Sequence, residues 1–321
     1  METKRLRDVD EAVRILRAGG LVALPTETVY GLAARGLDED AVRSIFRAKG
    51  RPQDNPVILH VAAADDALPL WRTDARSLAR ARVLADAFWP GPLTIVCDKS
   101  VLVPDVVTAG LPKVAVRVPA HDAFVRVARA LGEPLAAPSA NASGRPSPTT
   151  ADDVLASLDG RIDGVLDGGP CRVGIESTVV DVARDRPAIL RLGATSAAEL
   201  RAFLPDLVDG AAPGDAASPG LRHRHYAPAV GRVELIDDVD AHWVGPAALV
   251  VRASTASARA PRAAHTEILG DDAAAYARGL YAALYRLERA HPPLVLVERV
   301  PDGAAWAAVR DRLARAVRPE P

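Results

Sequence analysis

Short β-branched apolar runs alternate with amphipathic stretches over residues 1 to about 205, and that rhythm leaves few folds open. Strand-sized runs stand at 21–24, 57–62, 92–97, 114–118, 134–137, 162–167, 177–183 and 188–192, and helical spacing at 8–18, 39–49, 74–88, 121–131, 151–159 and 196–204. Interleaving of this kind predicts an α/β layer structure built on a substantial mixed sheet. Segment 38–50 carries the logic in miniature: Asp38 can cap a helix, Val42, Ile45 and Phe46 form an i, i+3, i+4 stripe, and Gly50 stands where a helix end wants a glycine.

Residues 206–231 break the rhythm, being rich in Pro, Gly, Ala and Asp without a period, and are long for a loop inside a compact domain. A second, shorter α/β set follows, with strands expected at 232–236, 247–252, 266–269 and 294–298 and helices at 271–290 and 303–317. The expected organisation is therefore a first domain over 1–205, a linker or lid over 206–231 and a small α/β domain over 232–321. No apolar run reaches membrane-spanning length, and no secretory leader pattern opens the chain. Cys97 and Cys171 are too few for a disulfide framework, so a cytoplasmic protein is expected.

Forty Lys and Arg stand against 41 Asp and Glu, a balance that disfavours a general nucleic-acid grip but leaves room for a local anion pocket. Phosphate-loop, dinucleotide-loop, metalloprotease and nucleophile-elbow motifs are all absent. His223 and His225 are a close pair without a third ligand at helical spacing, which suits a linker or pocket wall better than a metal. What remains is a series of polar clusters at element ends. PTETVYG (25–31) puts Thr26 and Thr28 directly after a buried strand. Lys49, Arg51 and Asn55 straddle the end of the helix at 39–49; cations there suit the helix dipole, but two fixed cations and an amide also suit a phosphate. His60 interrupts the strand VILHVA, where a satisfied, half-buried histidine is the ordinary case. Arg117 in VAVRVP needs an anionic partner, either a protein carboxylate or a ligand. Ser139 and Asn141 follow another apolar run, Ser177 and Thr178 open the next strand, and Arg191 ends a later one. Together these clusters point to one polyanionic ligand.

PTETVYGL, the K-G-R-P…N-P run, ILHVA, WPGPLT, VAVRVP, APSAN, GIESTV and ILRLG, in this order over residues 8–205, resemble the YrdC-like domain of L-threonylcarbamoyladenylate synthases. The SPG…RHYAP segment at 218–228 and the small domain after it resemble the two-domain form of that family, with Arg222-His223 departing from an expected Lys-aromatic pair. The resemblance implies an open twisted mixed sheet with flanking helices and a smaller Rossmann-like second domain. It implies conversion of L-threonine, bicarbonate and ATP to threonylcarbamoyl-AMP and pyrophosphate, with Mg²⁺ carried on the phosphates of ATP. The product would pass to a tRNA threonylcarbamoyl-transferase complex, with at most a weak contact to tRNA itself. By motif, Thr28, His60, Arg117, Ser139 and Ser177 fall on the threonine and carbamate side. Lys49, Arg51, Asn55, Lys113, Asn141, Thr149, Arg191 and Tyr226 fall on the nucleotide side, with Lys49 and Arg51 as the catalytic pair. Two other readings stay open at this point: a non-catalytic RNA-binding module, and a carbamoyl-transferring relative acting on another acceptor.

Overall fold

The computed structural model describes residues 2–210, 226–227, 232–237, 247–256 and 263–317. The first part runs β1 (Lys4–Leu6), α1 (Val9–Arg17), β2 (Val22–Leu24), β3 (Gly31–Arg35), α2 (Glu39–Lys49), β4 (Leu59–His60), α3 (Ala75–Phe88), β5 (Leu93–Asp98), α4 (Asp105–Thr108), β6 (Lys113–Arg117), α5 (Asp122–Leu131) and β7 (Leu135–Ala136). It continues with α6 (Ala151–Leu158), β8 (Gly164–Leu166), β9 (Thr178–Asp181), β10 (Ala188–Arg191), α7 (Ala197–Arg201) and β11 (Val208–Asp209). These strands form one open mixed sheet in the order β1-β8-β2-β3-β7-β4-β6-β5-β9-β10-β11. Helix α2 starts and stops as its sequence predicts: the Asp38 carboxylate accepts from the amides of Asp40 and Ala41, and Gly50 ends it at φ 60°. Its stripe, Val42, Ile45 and Phe46, packs with Leu32 and Leu59 of the sheet in the main core. Each such side chain fully buried contributes about 1.5–3 kcal/mol.

The second part comprises β12 (Val233–Ile236), β13 (Ala248–Arg252), β14 (His265–Leu269), α8 (Ala273–Ala290), β15 (Val295–Glu298) and α9 (Ala307–Ala316). Its strands are all parallel, in the order β12-β15-β13-β14, and α8 and α9 carry the apolar faces that cover the sheet, with Leu280, Leu284, Val309 and Leu313 in one cluster with Val250 and Val297. No described helix is long and apolar enough to cross a membrane.

Three strands were not visible in the sequence. β3 is Gly-Leu-Ala-Ala-Arg, without a β-branched residue, and becomes a strand only because β2 and β7 flank it. β1 and β11 are short edge strands, and β11 carries the large sheet past residue 205. Most of 206–231, including His223 and His225, lies outside the described residues.

Candidate active site

A cleft of about 50 Å³ opens where loops and strand ends of the large sheet converge, lined by Thr28, Arg51, His60, Arg117, Ser139, Glu176, Ser177, Arg191 and Tyr226, among others. The topology explains the convergence. β4 and β6 run parallel and finish together, so His60 and Arg117 are partners in register. β5 and β9 start at the same level, with Leu93 opposite Thr178, which brings Ser177 beside Thr94. β10, antiparallel to β9, ends there with Arg191 opposite Val179.

The cations in the cleft, and Lys49 beside it, are each held differently. Arg117 donates to Glu27 Oε1 (2.6 Å), to Thr28 Oγ1 (2.9 Å) and to the Gly91 carbonyl (3.0 Å), so its anionic partner is a carboxylate of the protein itself. Lys49 is buried with its ammonium 2.5 Å from the carbonyl oxygen of Ser139, and also donates to that of Asn141. Arg51 donates to the carbonyls of Asn55 (3.0 Å) and Pro56 (2.7 Å). Neither Lys49 nor Arg51 meets a carboxylate at ion-pair distance among the described residues. Burial, reinforced by Arg51, pulls the Lys49 ammonium well below its ordinary range; burial and Arg191 pull Arg51 down to about 9, which leaves it charged at neutral pH. Arg191 donates through Nε and Nη2 to the Ser177 carbonyl at 3.2 and 3.0 Å.

The buried acceptors also read as prepared for a ligand. His60 is buried, and burial followed by Arg117 lowers its pKa to about 3, so the ring is neutral. Its Nδ1 and the side-chain oxygen of Asn141 are buried without a hydrogen-bond partner. Asn141 spends its amide nitrogen on the Ala142 and Arg145 carbonyls, which fixes the orphaned oxygen's direction.

Two residues expected on the nucleotide side stand elsewhere. Lys113 begins β6, and its ammonium is committed to Asp181 at 2.8 Å and to the Ala183 carbonyl at 2.7 Å. It lies four residues, or ~13 Å of strand, from Arg117, at the far end of β6. Thr149 binds Asp153 through both its amide and its hydroxyl at the start of α6, a capping role, and does not line the cleft. Asn55 is buried behind Arg51 and reaches the site through it.

Three residues of the site, Glu176 on the cleft wall and Thr94 and Glu27 behind it, went unrecognised in the sequence. Thr94 shares a hydrogen bond with Ser177 (2.8 Å). Glu27 anchors Arg117. Glu176 is held by Ser147, Tyr281 and Arg312. A carboxylate inside each hydroxyl-rich motif, PTETVYG and GIESTV, was the available signal. A larger open groove of about 950 Å³ lies along Lys4–Arg7 and Arg14, but its walls carry no orphaned buried polar atom; the smaller cleft, with the buried His60 Nδ1 and three arginines, is the candidate site.

An open α/β sheet with a closed, cation-rich cleft at its strand ends defines an enzyme-like protein that takes a small polyanionic ligand. A family model described as telomere recombination matches residues 14–193, and one described as the threonylcarbamoyl-AMP synthase C-terminal domain matches 195–317. The chain is 39% identical to the threonylcarbamoyl-AMP synthase of Pyrococcus abyssi over 95% of this chain and 92% of the relative. It is 38% identical to that of Bacillus subtilis over 96% and 92%. The crystal structure of P. abyssi Sua5 complexed with L-threonine superposes with a TM-score of 0.88 at 37% identity, covering 98% of this chain and 97% of that one. The chain belongs to the two-domain Sua5 family of threonylcarbamoyl-AMP synthases.

Proposed function

We propose that this chain condenses L-threonine, bicarbonate and ATP to L-threonylcarbamoyl-AMP and pyrophosphate. The observation that carries the reading is the pairing of buried Lys49 and Arg51, held on carbonyl oxygens alone, with the orphaned Nδ1 of His60 and Oδ1 of Asn141 in one region. Cations without carboxylates call for an anion, and orphaned acceptors call for a donor such as a hydroxyl or an ammonium.

The threonine amine attacks the carbon of bicarbonate; the N–C bond forms, water leaves, and a carbamate results. A carbamate oxygen then attacks the α-phosphorus in line, and the α–β bridging P–O bond breaks to release pyrophosphate. The protein supplies positioning and charge rather than a covalent nucleophile. Thr28, His60, Arg117, Ser139 and Ser177 take the threonine and carbamate half. Lys49, Arg51, Asn55, Asn141, Arg191 and Tyr226 take the nucleotide half, Lys49 and Arg51 offsetting charge on the phosphates as it shifts toward pyrophosphate. Lys113 and Thr149 are left out of this assignment because both are committed to carboxylates of the protein, Asp181 and Asp153.

Magnesium would enter with the nucleotide. Among the described residues no group of three His, Cys, Asp or Glu side chains is placed to hold a metal, and the one acidic residue lining the cleft, Glu176, is bound to Arg312. Mg²⁺ often keeps few protein ligands and rides on phosphate oxygens, where it would lower the charge the arginines must meet.

The catalytic unit is residues 1–205, extended by the strand pair to β11; 232–321 is a second domain, and the intervening segment places Tyr226 in the cleft. The product would be consumed in the cytoplasm by a transferase complex that modifies the adenosine 3′ of the anticodon in tRNA. Mass spectrometry after incubation with threonine, bicarbonate and Mg-ATP is the test. A threonylcarbamoyl-AMP peak that needs all three substrates is expected, and its absence from a folded, pure preparation refutes the reading.

A further inference from the structure

The second domain packs against the back of the cleft wall. Glu176 is the one acidic residue lining it among the described residues, and two of its three partners come from beyond residue 270. Arg312 of α9 donates through Nε to Glu176 Oε2 at 3.0 Å, and the hydroxyl of Tyr281 on α8 donates to the same oxygen at 3.0 Å. The Ser147 hydroxyl donates to Oε1 at 2.6 Å. The Arg312 side chain is fully buried, its Nη1 donating to the Leu192 carbonyl at 2.7 Å. Tyr226, which closes the cleft, stacks on Tyr281 with ring centroids 5.5 Å apart and lies under the Arg312 guanidinium at 5.4 Å. Tyr226 also holds φ at 69°, a backbone state that a non-glycine residue keeps only where its surroundings hold it.

The docking around this cluster is close. A Cβ on Gly174, two residues before Glu176, would stand 2.4 Å from Arg278 Cα, so the α8 backbone passes directly over the strand's lead-in. Tyr285 donates to the Pro146 carbonyl at 2.8 Å, and Arg145 pairs with Glu288, so α8 also fixes the loop that carries Ser147.

We infer that Arg312 is a positioning residue for nucleotide binding, acting through Glu176 and the ring of Tyr226. Two consequences of charge follow from the geometry. A buried carboxylate facing an incoming triphosphate repels it unless a fixed cation offsets the charge, and Arg312 is that cation. With Arg312 gone, Glu176 turns its field on Arg191, the next cation along the cleft, and weakens what Arg191 offers a phosphate. The same substitution removes the upper contact of the Tyr226 ring. This rests on the reading of Tyr226 as the residue that closes the cleft.

The test uses the full chain with four changes: Arg312→Met, Arg312→Lys, Tyr281→Phe, and the neutral pair Glu176→Gln with Arg312→Met. The readouts are kcat, the KM for ATP, the fraction of threonylcarbamoyl-AMP lost as AMP, and the pH profile of kcat/KM. Arg312→Met should raise the KM for ATP by about 10-fold or more and increase the hydrolysed fraction, with a smaller change in kcat. It should also make kcat/KM pH-dependent, with the defect full where Glu176 is ionised and relieved as pH falls and Glu176 takes up a proton. Burial alone would raise the Glu176 pKa, and Arg312, Arg191 and the Ser147 hydroxyl outweigh it to hold the group at about 2. The groups facing Glu176 are Ser147, Arg191, Tyr226, Tyr281 and Arg312, so losing Arg312 removes the largest opposing charge. The neutral pair should recover most of the lost KM and abolish that pH dependence; Arg312→Lys should keep the wild-type profile; Tyr281→Phe, which retains the stack, should change KM less than Arg312→Met.

A merely structural role would lower kcat or the folded yield and leave KM, hydrolysis and the profile unmoved, which overturns the inference. If Arg312→Met does not fold, the neutral pair and Arg312→Lys decide: a neutral pair with raised KM, or a Lys variant whose KM for ATP is raised at neutral pH and recovers at acid pH, overturns it. If Tyr226→Ala leaks intermediate while every Arg312 variant behaves as wild type, closure by Tyr226 stands and the role of Arg312 falls. If Tyr226→Ala is also normal, both fall.

Discussion

His60 and Arg117 face each other as register partners on adjacent parallel strands, a neutral ring beside a charge anchored on Glu27. Burial and that guanidinium together depress the His60 pKa to about 3. In the unfolded chain it returns to about 6.5. Between those values the unfolded state binds a proton that the folded state refuses, so the stabilisation is whole above pH 6.5 and is lost as pH falls toward 3. Urea unfolding at pH 7 and pH 4 should show the wild type losing roughly 3 kcal/mol relative to His60→Gln over that interval. Equal losses in the two proteins would mean that His60 is protonated in the fold.

Lys49 and Arg51 sit at a helix end, a position from which side chains are usually removed at no cost to the fold. Both are buried here, and Lys49→Met leaves the carbonyls of Ser139 and Asn141 without their donor. A stability loss of about 1–3 kcal/mol should therefore accompany the kinetic effect. The kinetic effect itself should be roughly 2–4 kcal/mol for Lys49→Met and for Arg51→Ala, a 30- to 1000-fold fall in rate. Turnover near wild type in either folded variant removes that residue from the site.

The depressed pKa of Lys49 has a sign that binding can read. Burial, then Arg51, drive its proton off, and a bound polyanion drives the proton back on. ATP affinity should be full below the ligand-free pKa of Lys49 and fall as pH rises through it. Calorimetric titration of ATP in two buffers of different ionisation heat should register proton uptake by the protein on the alkaline side. Proton release there would contradict the assignment.

Much of the sheet was legible because strand-sized apolar runs and capped helices obey local rules, as Asp38 and Gly50 do around α2. β3 was not, because Gly-Leu-Ala-Ala-Arg has no strand propensity of its own and is recruited by its neighbours. Within the site, Arg117 announced the need for an anion, but nothing in spacing says that Glu27, 90 residues earlier, would answer it. Glu176 was silent for the same reason: its partners Tyr281 and Arg312 stand 105 and 136 positions away. Lys113 shows the opposite failure, a cation on the right strand at the wrong end.

Substrate choice should follow the cleft's hydroxyls and orphaned acceptors. Thr28 Oγ1 lies 2.8 Å from Thr26 Oγ1 and accepts from Arg117, and Ser177 is tied to Thr94, so His60 Nδ1 stands out as the atom a bound hydroxyl or amine would satisfy. Threonine should be preferred strongly over 2-aminobutyrate, which leaves polar groups unpaired, and less strongly over serine, whose missing methyl costs ~1–3 kcal/mol. Competition assays in which 2-aminobutyrate is used as well as threonine would defeat this.

Tyr226 sets the last expectation. Read from the sequence, the 206–231 segment is a linker or lid. In the structure the Tyr226 ring already occupies the cleft wall, 2% exposed, and the remaining space is about 50 Å³. Sites for nucleotide-sized ligands run to roughly 300–1,000 Å³. On the proposed function, ATP entry is expected to require withdrawal of Tyr226, and the ring's return would keep water from a reactive mixed anhydride. Tyr226→Ala removes both the ring that must be displaced and its contact with bound nucleotide, so retention of the intermediate, not the KM for ATP, is the readout that reports closure. The variant should raise the share of product recovered as AMP and threonine. Hydrogen exchange at the peptide carrying Tyr226 and Ala227 should quicken on adding a non-hydrolysable ATP analogue alone and slow again with threonine and bicarbonate present. Exchange that ignores both additions, together with normal product retention in Tyr226→Ala, would mean that the ring merely packs and that the cleft admits its substrates by another motion.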